Sequence, residues 1–286
     1  MTPAPRSVRR SAFGAAAAAA AVVLMTALPA AAQDPARRWP ARILDAHQHV
    51  EAGEAAALAA QSTEAGVTGA VVHLPQGVSE PPVASLPGPV RWCSGVAADP
   101  DTVAIGRALA AGRARCIKIY LGYVARWASD PAYEPVYRLA ARYGVPVVFH
   151  TGDTESARAK LKYADPLTVD EVAVDHPDVV FVIAHCGNPW TQSAAEVAYK
   201  NPNVYLECSA LMAGNMDDVA PDARATYVVD VIRWVLGYVE DPAKLMFASD
   251  WPLVDVAGYV RAYMEAVPEA DWDAVFYGNA ARVFGF

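Results

Sequence analysis

Apolar, β-rich runs alternate with helical stretches from position 43 to the end of the chain, and no other feature restricts the fold as much. The runs are read at 43–49, 67–74, 90–97, 114–121, 145–150, 179–185, 204–209 and 244–250. Helices are read at 54–65, 102–111, 131–143, 167–174, 190–199, 223–239 and 256–267, with a short terminal helix through 279–284. Gly66, Gly112 and Gly144 supply helix stops. The segment 76–89 is rich in proline and reads as a long loop. Strands joined through helices pair in parallel, and eight such units of short connections predict an α/β fold, a (β/α)8 TIM barrel rather than an open sheet.

That topology decides which side chains meet. In such barrels the C-terminal ends of all strands surround one mouth, where active sites form. His47 and His49 end the first run and share a face, because side chains on a strand repeat every two residues. A lone His-x-His is a weak signal. His150 and His185 end the fifth and sixth runs, however, and Asp250 ends the eighth. A barrel brings all five to one end. Three histidines and a carboxylate suit Zn2+, or another first-row divalent ion such as Mn2+, with a position left for water. Water so held becomes acidic enough to attack a carbonyl near neutral pH.

The start of the chain reads as a leader. Arg6, Arg9 and Arg10 precede an alanine-rich apolar run from 13 to 28, and Ala30-Ala31-Ala32 supplies an A-x-A cleavage site. Arg9-Arg10 followed by Ser11-Ala12-Phe13 resembles a twin-arginine signal, so 1–32 is expected to be removed and the protein to be periplasmic or secreted. Removal leaves roughly 250 residues, the usual size of one barrel domain, 33–286. The full chain has 286 residues and a formal charge of −8 with no Lys/Arg cluster, which argues against nucleic acid or anionic lipid as partner. No stable membrane anchor is expected. Cys93, Cys116, Cys186 and Cys208 lack C-x-x-C spacing and read first as buried free thiols; bridges Cys93–Cys116 or Cys186–Cys208 between adjacent strands stay open in an oxidising compartment.

Asp45-Ala46-His47-Gln48-His49, Phe149-His150-Thr151-Gly152, Ala184-His185-Cys186-Gly187, Ser249-Asp250-Trp251-Pro252 and the closing Gly278-Asn279-Ala280-Ala281-Arg282 occur in that order along the chain. Together they resemble the amidohydrolase superfamily, in the branch that includes aminocarboxymuconate-semialdehyde decarboxylase. The resemblance implies a single metal held by His47, His49 and His150, with Asp250 as a further ligand or proton carrier. It implies that His185 activates water or polarises the substrate carbonyl. Members of that branch divide between hydrolysis of C–N or C–O bonds and non-oxidative decarboxylation.

Lys118 on the fourth run is read as a substrate-binding or supporting group. A second metal bridged by a carboxylated Lys118 is the less favoured arrangement, and a simple pairing with Asp153 or Glu207 a third. Tyr120, Trp190 and Trp251 follow strand ends and are candidates for a substrate pocket, with Tyr123 and Arg126 beside them. His73 could touch substrate or be structural, Glu207 is a candidate support for the metal site, and His176 is expected on the surface at the opposite end. The leading expectation is a metal-dependent hydrolase of a small-molecule amide, ester or lactone, a carboxylate among the candidate substrates. Its rivals are a decarboxylase of an aromatic or unsaturated acid and a non-catalytic binding barrel. The oligomeric state, a homo-oligomer included, is left open.

Overall fold

Eight parallel strands follow one another round the sheet in chain order: β1 (Ile43–Gln48), β2 (Val67–His73), β3 (Val90–Val96), β4 (Cys116–Tyr120), β5 (Val147–His150), β6 (Phe181–Ile183), β7 (Val204–Glu207) and β8 (Leu245–Met246). The computed structural model describes residues 38–51, 53–79 and 88–286. The expected leader and its cleavage site lie outside the described residues.

β8 ladders with β7 over two residues only. The chain beyond it nevertheless runs along β1: Ala46 N–H donates to Phe247 O (3.1 Å), Asp250 N–H to His47 O (2.7 Å) and His49 N–H to Trp251 O (2.8 Å). These bonds close the ring. Asp45 reinforces the same seam. Its fully buried carboxylate accepts from His47 N–H and Gln48 on its own strand, and from the N–H (2.9 Å) and hydroxyl (2.6 Å) of Ser249 across the seam. Burial raises its pKa to about 6, against the pull of those donors.

The barrel interior is filled by Leu44, Val71, Cys93, Cys116, Val148, Val182 and Met246, and Ala280 and Phe284 of the last helix pack against its lower end. Around the sheet run α1 (Ala55–Glu64), α2 (Thr102–Ala110), the short α3 (Leu121–Val124), α4 (Glu134–Tyr143), α5 (Thr168–Asp175), α6 (Thr191–Lys200), α7 (Pro221–Arg224), α8 (Asp230–Val239), α9 (Val256–Ala266) and α10 (Asn279–Phe284). The longer helices present apolar faces to the strands; Tyr137 of α4, for example, meets Phe149 and Phe181 at 6.3 and 5.6 Å between ring centroids. From α9, Tyr259 donates its hydroxyl to Cys208 O (2.7 Å), and Tyr263 Oη accepts from Cys208 N–H (3.0 Å). Those two phenols hold the segment that leaves β7 toward the mouth.

The structure departs from the sequence expectation at four places. β6 ends at Ile183, so His185 stands beyond the strand in a tight turn, Ala184–Gly187, with φ +59° at His185 and +46° at Cys186. The helix expected over 223–239 is interrupted by a π turn at Ala225–Val229, between α7 and α8. The fourth run passes directly into α3 at Leu121. The cysteines are not free thiols: Cys93–Cys116 and Cys186–Cys208 are both disulfides. The first joins directly paired positions of β3 and β4, which is why adjacent-strand geometry brings those sulfurs into bonding range.

Candidate metal centre and active site

His73, Lys118, His150 and Glu207 reach the mouth by simple alternation, two residues beyond Val71, Cys116, Val148 and Tyr205, whereas Asp250 stands beyond β8 with φ +64°. His47 and His49 do not follow Leu44 and Ala46 in phase. The β1–β2 register shifts between Asp45 and Gln48, and this irregularity turns both imidazoles to the mouth. Their Nε2 atoms stand 3.2 Å apart, and Asp250 Oδ1 lies 3.3 Å from each.

The hydrogen bonds of the other ring nitrogens set the tautomers. His47 Nδ1–H donates to Glu207 Oε1 (2.7 Å), and His49 Nδ1–H donates to the His73 carbonyl (3.0 Å). A carbonyl can only accept, so His49 Nδ1 carries its proton and Nε2 is the nitrogen turned to Asp250. With Nδ1 donating to the carboxylate, His47 Nε2 is turned to Asp250 as well. His150 Nε2–H donates to Asp153 O (2.8 Å) and His185 Nδ1–H to Ser209 O (3.2 Å), with Ser209 Oγ also 2.9 Å from that nitrogen. His150 Nδ1 and His185 Nε2 therefore face each other at 3.1 Å. Burial pulls the pKa of His47, His73 and His150 well below 6.5 and that of His185 to about 4, so all four rings are neutral at physiological pH.

Imidazole nitrogens of His47, His49, His150 and His185 and a carboxylate thus converge. Asp250 Oδ1 is buried and makes no hydrogen bond. Burial alone would raise the Asp250 pKa, but His49 against it, with His185 and Lys118 nearby, holds it well below the ordinary carboxylate range. An ionised carboxylate oxygen set between two imidazole nitrogens fits a divalent cation. His47, His49 and Asp250 form the tightest group able to hold one. A second group, His47, His185 and Glu207, shares His47 with it. His150 stands outside both, one contact away through His185. His185 Nδ1 is 3.8 Å from Asp250 Oδ2.

Beneath the imidazoles lies Lys118, fully buried, its Nζ without a hydrogen-bond partner. Burial lowers its pKa, against the attraction of Glu207 and Asp250; burial raises that of Glu207, against the pull of Lys118. The pairing of Lys118 with Asp153 is not formed: Asp153 Oδ1 accepts from Thr154 N–H instead.

The mouth opens into a cavity of about 660 Å³ bordered by His49, His150, His185 and Asp250. Tyr120 lines it, its hydroxyl donating to Leu74 O (2.8 Å), as does Tyr123. Trp190 and Trp251 do not border it: Trp190 precedes α6, and Trp251 is buried in the seam. Arg126 is held by Asp99 and Asp130. His176 is half-buried against Glu134 and Tyr137. Sequence reasoning missed Ser209, which holds His185, and Glu155 on the cavity wall, and it considered Asp153 only as a partner for Lys118. It left His73 ambiguous; that residue stacks on His47 at 4.1 Å and offers its carbonyl to His49. Ser209 was signalled only by its place two residues past Glu207. Gly152 explains the short His-Thr-Gly turn: at φ +86°, a Cβ there would run into the Asn188 carbonyl.

The fold is shared with solved structures of low sequence identity. An uncharacterised TIM-barrel protein of Bordetella bronchiseptica superposes with a TM-score of 0.63 at 16% identity, over 85% of this chain and 98% of that one. A probable 2-pyrone-4,6-dicarboxylic acid hydrolase of Acinetobacter baumannii, with citric acid bound, gives 0.60 at 14%, over 85% and 99%. A 5-carboxyvanillate decarboxylase of Novosphingobium aromaticivorans, complexed with manganese and 4-hydroxy-3-methoxy-5-nitrobenzoic acid, gives 0.60 at 13%, over 85% and 96%. No protein of curated function matches. Residues 2–286 match the family model described as amidohydrolase, so the metal-dependent barrel whose mouth gathers these histidines and Asp250 belongs to the amidohydrolase family of enzymes.

Proposed function

We propose that the protein hydrolyses a C–N or C–O bond of a small molecule, an amide, ester or lactone, after export to the periplasm or beyond. The observation that carries this reading is the charge of the cavity wall. Asp153 and Glu155 face the space a substrate must enter. Such a wall opposes the carboxylate that a decarboxylase has to bind.

His47, His49 and Asp250 would hold one divalent ion, most simply zinc with manganese as the alternative, and His150 would complete the set. Bound there, the ion supplies Lewis acidity to a substrate carbonyl and lowers the pKa of water. Glu207 and the His73 carbonyl fix the ring orientations of His47 and His49, and Asp250 stays ionised throughout. His185, neutral and oriented by Ser209, accepts at Nε2 the proton that attacking water loses and returns it to the leaving group.

Decarboxylation is the second reading. It is favoured by the unpartnered Nζ of Lys118 below the site and by the fold likeness to a decarboxylase. Elemental analysis of the purified protein, with turnover before and after chelation, tests the main reading. About one equivalent of metal and chelator-sensitive cleavage of simple esters or lactones is expected. Two equivalents would make Lys118 a carboxylated bridge. Carbon dioxide release from aromatic acids, with no ester or amide cleavage, would replace hydrolysis by decarboxylation.

A further inference from the structure

Beyond the imidazoles the cavity is walled largely by carbon. The segment 208–216 after β7 brings Leu211, Met212 and Ala213 to it, and the segment after β8 brings Pro252 and Leu253. Hydrogen bonds fix these two segments to each other and to α9: Gly214 N–H donates to Leu253 O (2.8 Å) beside a bridge to Val254, and Leu211 N–H donates to Tyr259 Oη (3.0 Å). The wall is therefore formed before a ligand enters. Leu253 is nevertheless 44% exposed, an isobutyl group left facing the open space instead of the core. Four strands away round the ring, Tyr120 ends β4 and Tyr123 stands in α3. The Tyr120 hydroxyl donates to Leu74 O (2.8 Å) and Tyr123 Oη accepts from Glu155 N–H (3.2 Å), so both hydroxyls are engaged and the rings are what the space meets. Among the described residues that border the cavity there is no Lys or Arg.

We propose that the slot between Leu211, Met212 and Leu253 on one side and the rings of Tyr120 and Tyr123 on the other is the subsite for an apolar, uncharged substituent, so that the substrate is an ester, amide or lactone carrying a hydrocarbon group. The inference rests on the hydrolytic reading and names its substrate class. The occupant is a part of the substrate, because the slot is continuous with the space bordered by His49, His185 and Asp250 at its floor. A cavity of about 660 Å³ far exceeds what the reacting carbonyl and its neighbours fill, so the substituent has several carbons. An anionic substituent would find no cation to pair with and would meet Asp153 and Glu155 on the same border. Each methylene buried between these walls contributes up to about fourfold in affinity. The contact lies away from the reacting bond and acts on bound substrate and transition state alike, so it lowers KM and leaves kcat near constant.

The test uses the metal-loaded protein and γ-lactones whose side chain is methyl, propyl or pentyl, with a fourth whose pentyl chain ends in a carboxylate. The value of kcat/KM should rise by about two- to fourfold per methylene from methyl to pentyl, through KM, and the carboxylate should cost about tenfold or more. Leu253→Asn with Met212→Gln should flatten the rise, and Leu253→Ala, a milder change at an exposed position, should flatten it in part. A flat or falling series in the wild type, equal rates for the pentyl lactone and its carboxylate, or a rise that neither variant alters overturns the proposal. If none of the four lactones is cleaved, that failure belongs to the hydrolytic reading, and calorimetric titration with butanol, hexanol and octanol decides the slot. Affinity that climbs with chain length and loses that trend in the double variant supports it; binding independent of length, or none, overturns it.

Discussion

Two pairs of imidazoles face each other across the mouth of this barrel, and they differ in what lies beside them. His47 and His49 meet at 3.2 Å with Asp250 Oδ1 equidistant from both. His150 and His185 meet at 3.1 Å with no carboxylate oxygen bonded to either. Both pairs are locked from behind, the first by Glu207 and the His73 carbonyl, the second by the carbonyls of Asp153 and Ser209. The first pair has the negative charge that makes a cation site; the second has a free lone pair that can take a proton. One barrel end therefore divides into a part that holds charge and a part that moves it.

Breaking the first pair should have the largest effect. His49→Ala or Asp250→Asn is expected to leave no bound metal by elemental analysis and to lower kcat/KM by the order of 10⁴-fold or more. Breaking the second pair at His185→Asn should leave the metal in place and cost about 10²–10⁴-fold in kcat. If that variant lost its metal as well, the division would be wrong and His185 would be a ligand.

The disulfides sharpen the contrast. They span 23 and 22 residues, so replacing either pair by alanine should cost a similar stability, about 3 kcal/mol by loop-closure entropy. Cys186 adjoins His185 and Cys208 adjoins Ser209, whereas Cys93 and Cys116 lie in the barrel interior. Only removal of Cys186–Cys208 is expected to lower kcat in the protein that remains folded. Glu207→Gln should weaken metal affinity by about 10–100-fold, as loss of a ligand's supporting partner does, with kcat restored at saturating metal.

The smallest effect is in pH. His47, His73, His150 and His185 bind protons less readily folded than unfolded. Their contribution to stability is present above pH 6.5 and is lost as pH falls toward 4, because the unfolded chain takes up protons the folded one refuses. Asp45 and Glu207 work the other way, their folded pKa values being raised, but they are two groups against four. Thermal melts of chelator-treated protein should fall by several degrees between pH 7 and pH 5, and less so with metal bound.

How much of this could be read from the chain depends on the backbone. His150 and Lys118 lie in phase with the interior residues of their strands, so period-two reasoning places them at the mouth; Asp250 comes there from beyond β8, at φ +64°. His47 and His49 were grouped correctly with each other, but the shift in β1 that turns them inward leaves no mark in the apolar pattern. His185 was assigned to a strand end because Val-Ile-Ala reads as β, while its positive φ is set by contacts with Ser209 and the cystine beside it. Trp190 and Trp251 were placed on the pocket by proximity in sequence alone; one precedes a helix and the other packs in the seam. Glu155 was invisible for the opposite reason, and Asp153 was considered only as a partner for Lys118, since acidic loop residues are common and only the closed ring shows which of them border the cavity.

The seam between the first and last strands has a consequence for assembly of the site. His47 and His49 come from near position 48 and Asp250 from the far end, so the cation-binding set does not exist in any state with the ring open. Occupancy of the metal is thereby linked to closure: an ion that binds only the closed ring stabilises it by mass action, in proportion to the logarithm of its concentration over its Kd. Asp45 and Ser249 clasp the seam, and an ion held by His47, His49 and Asp250 would clasp it a second time. A nascent chain halted before residue 247 would have every histidine of the centre and still no place for the metal.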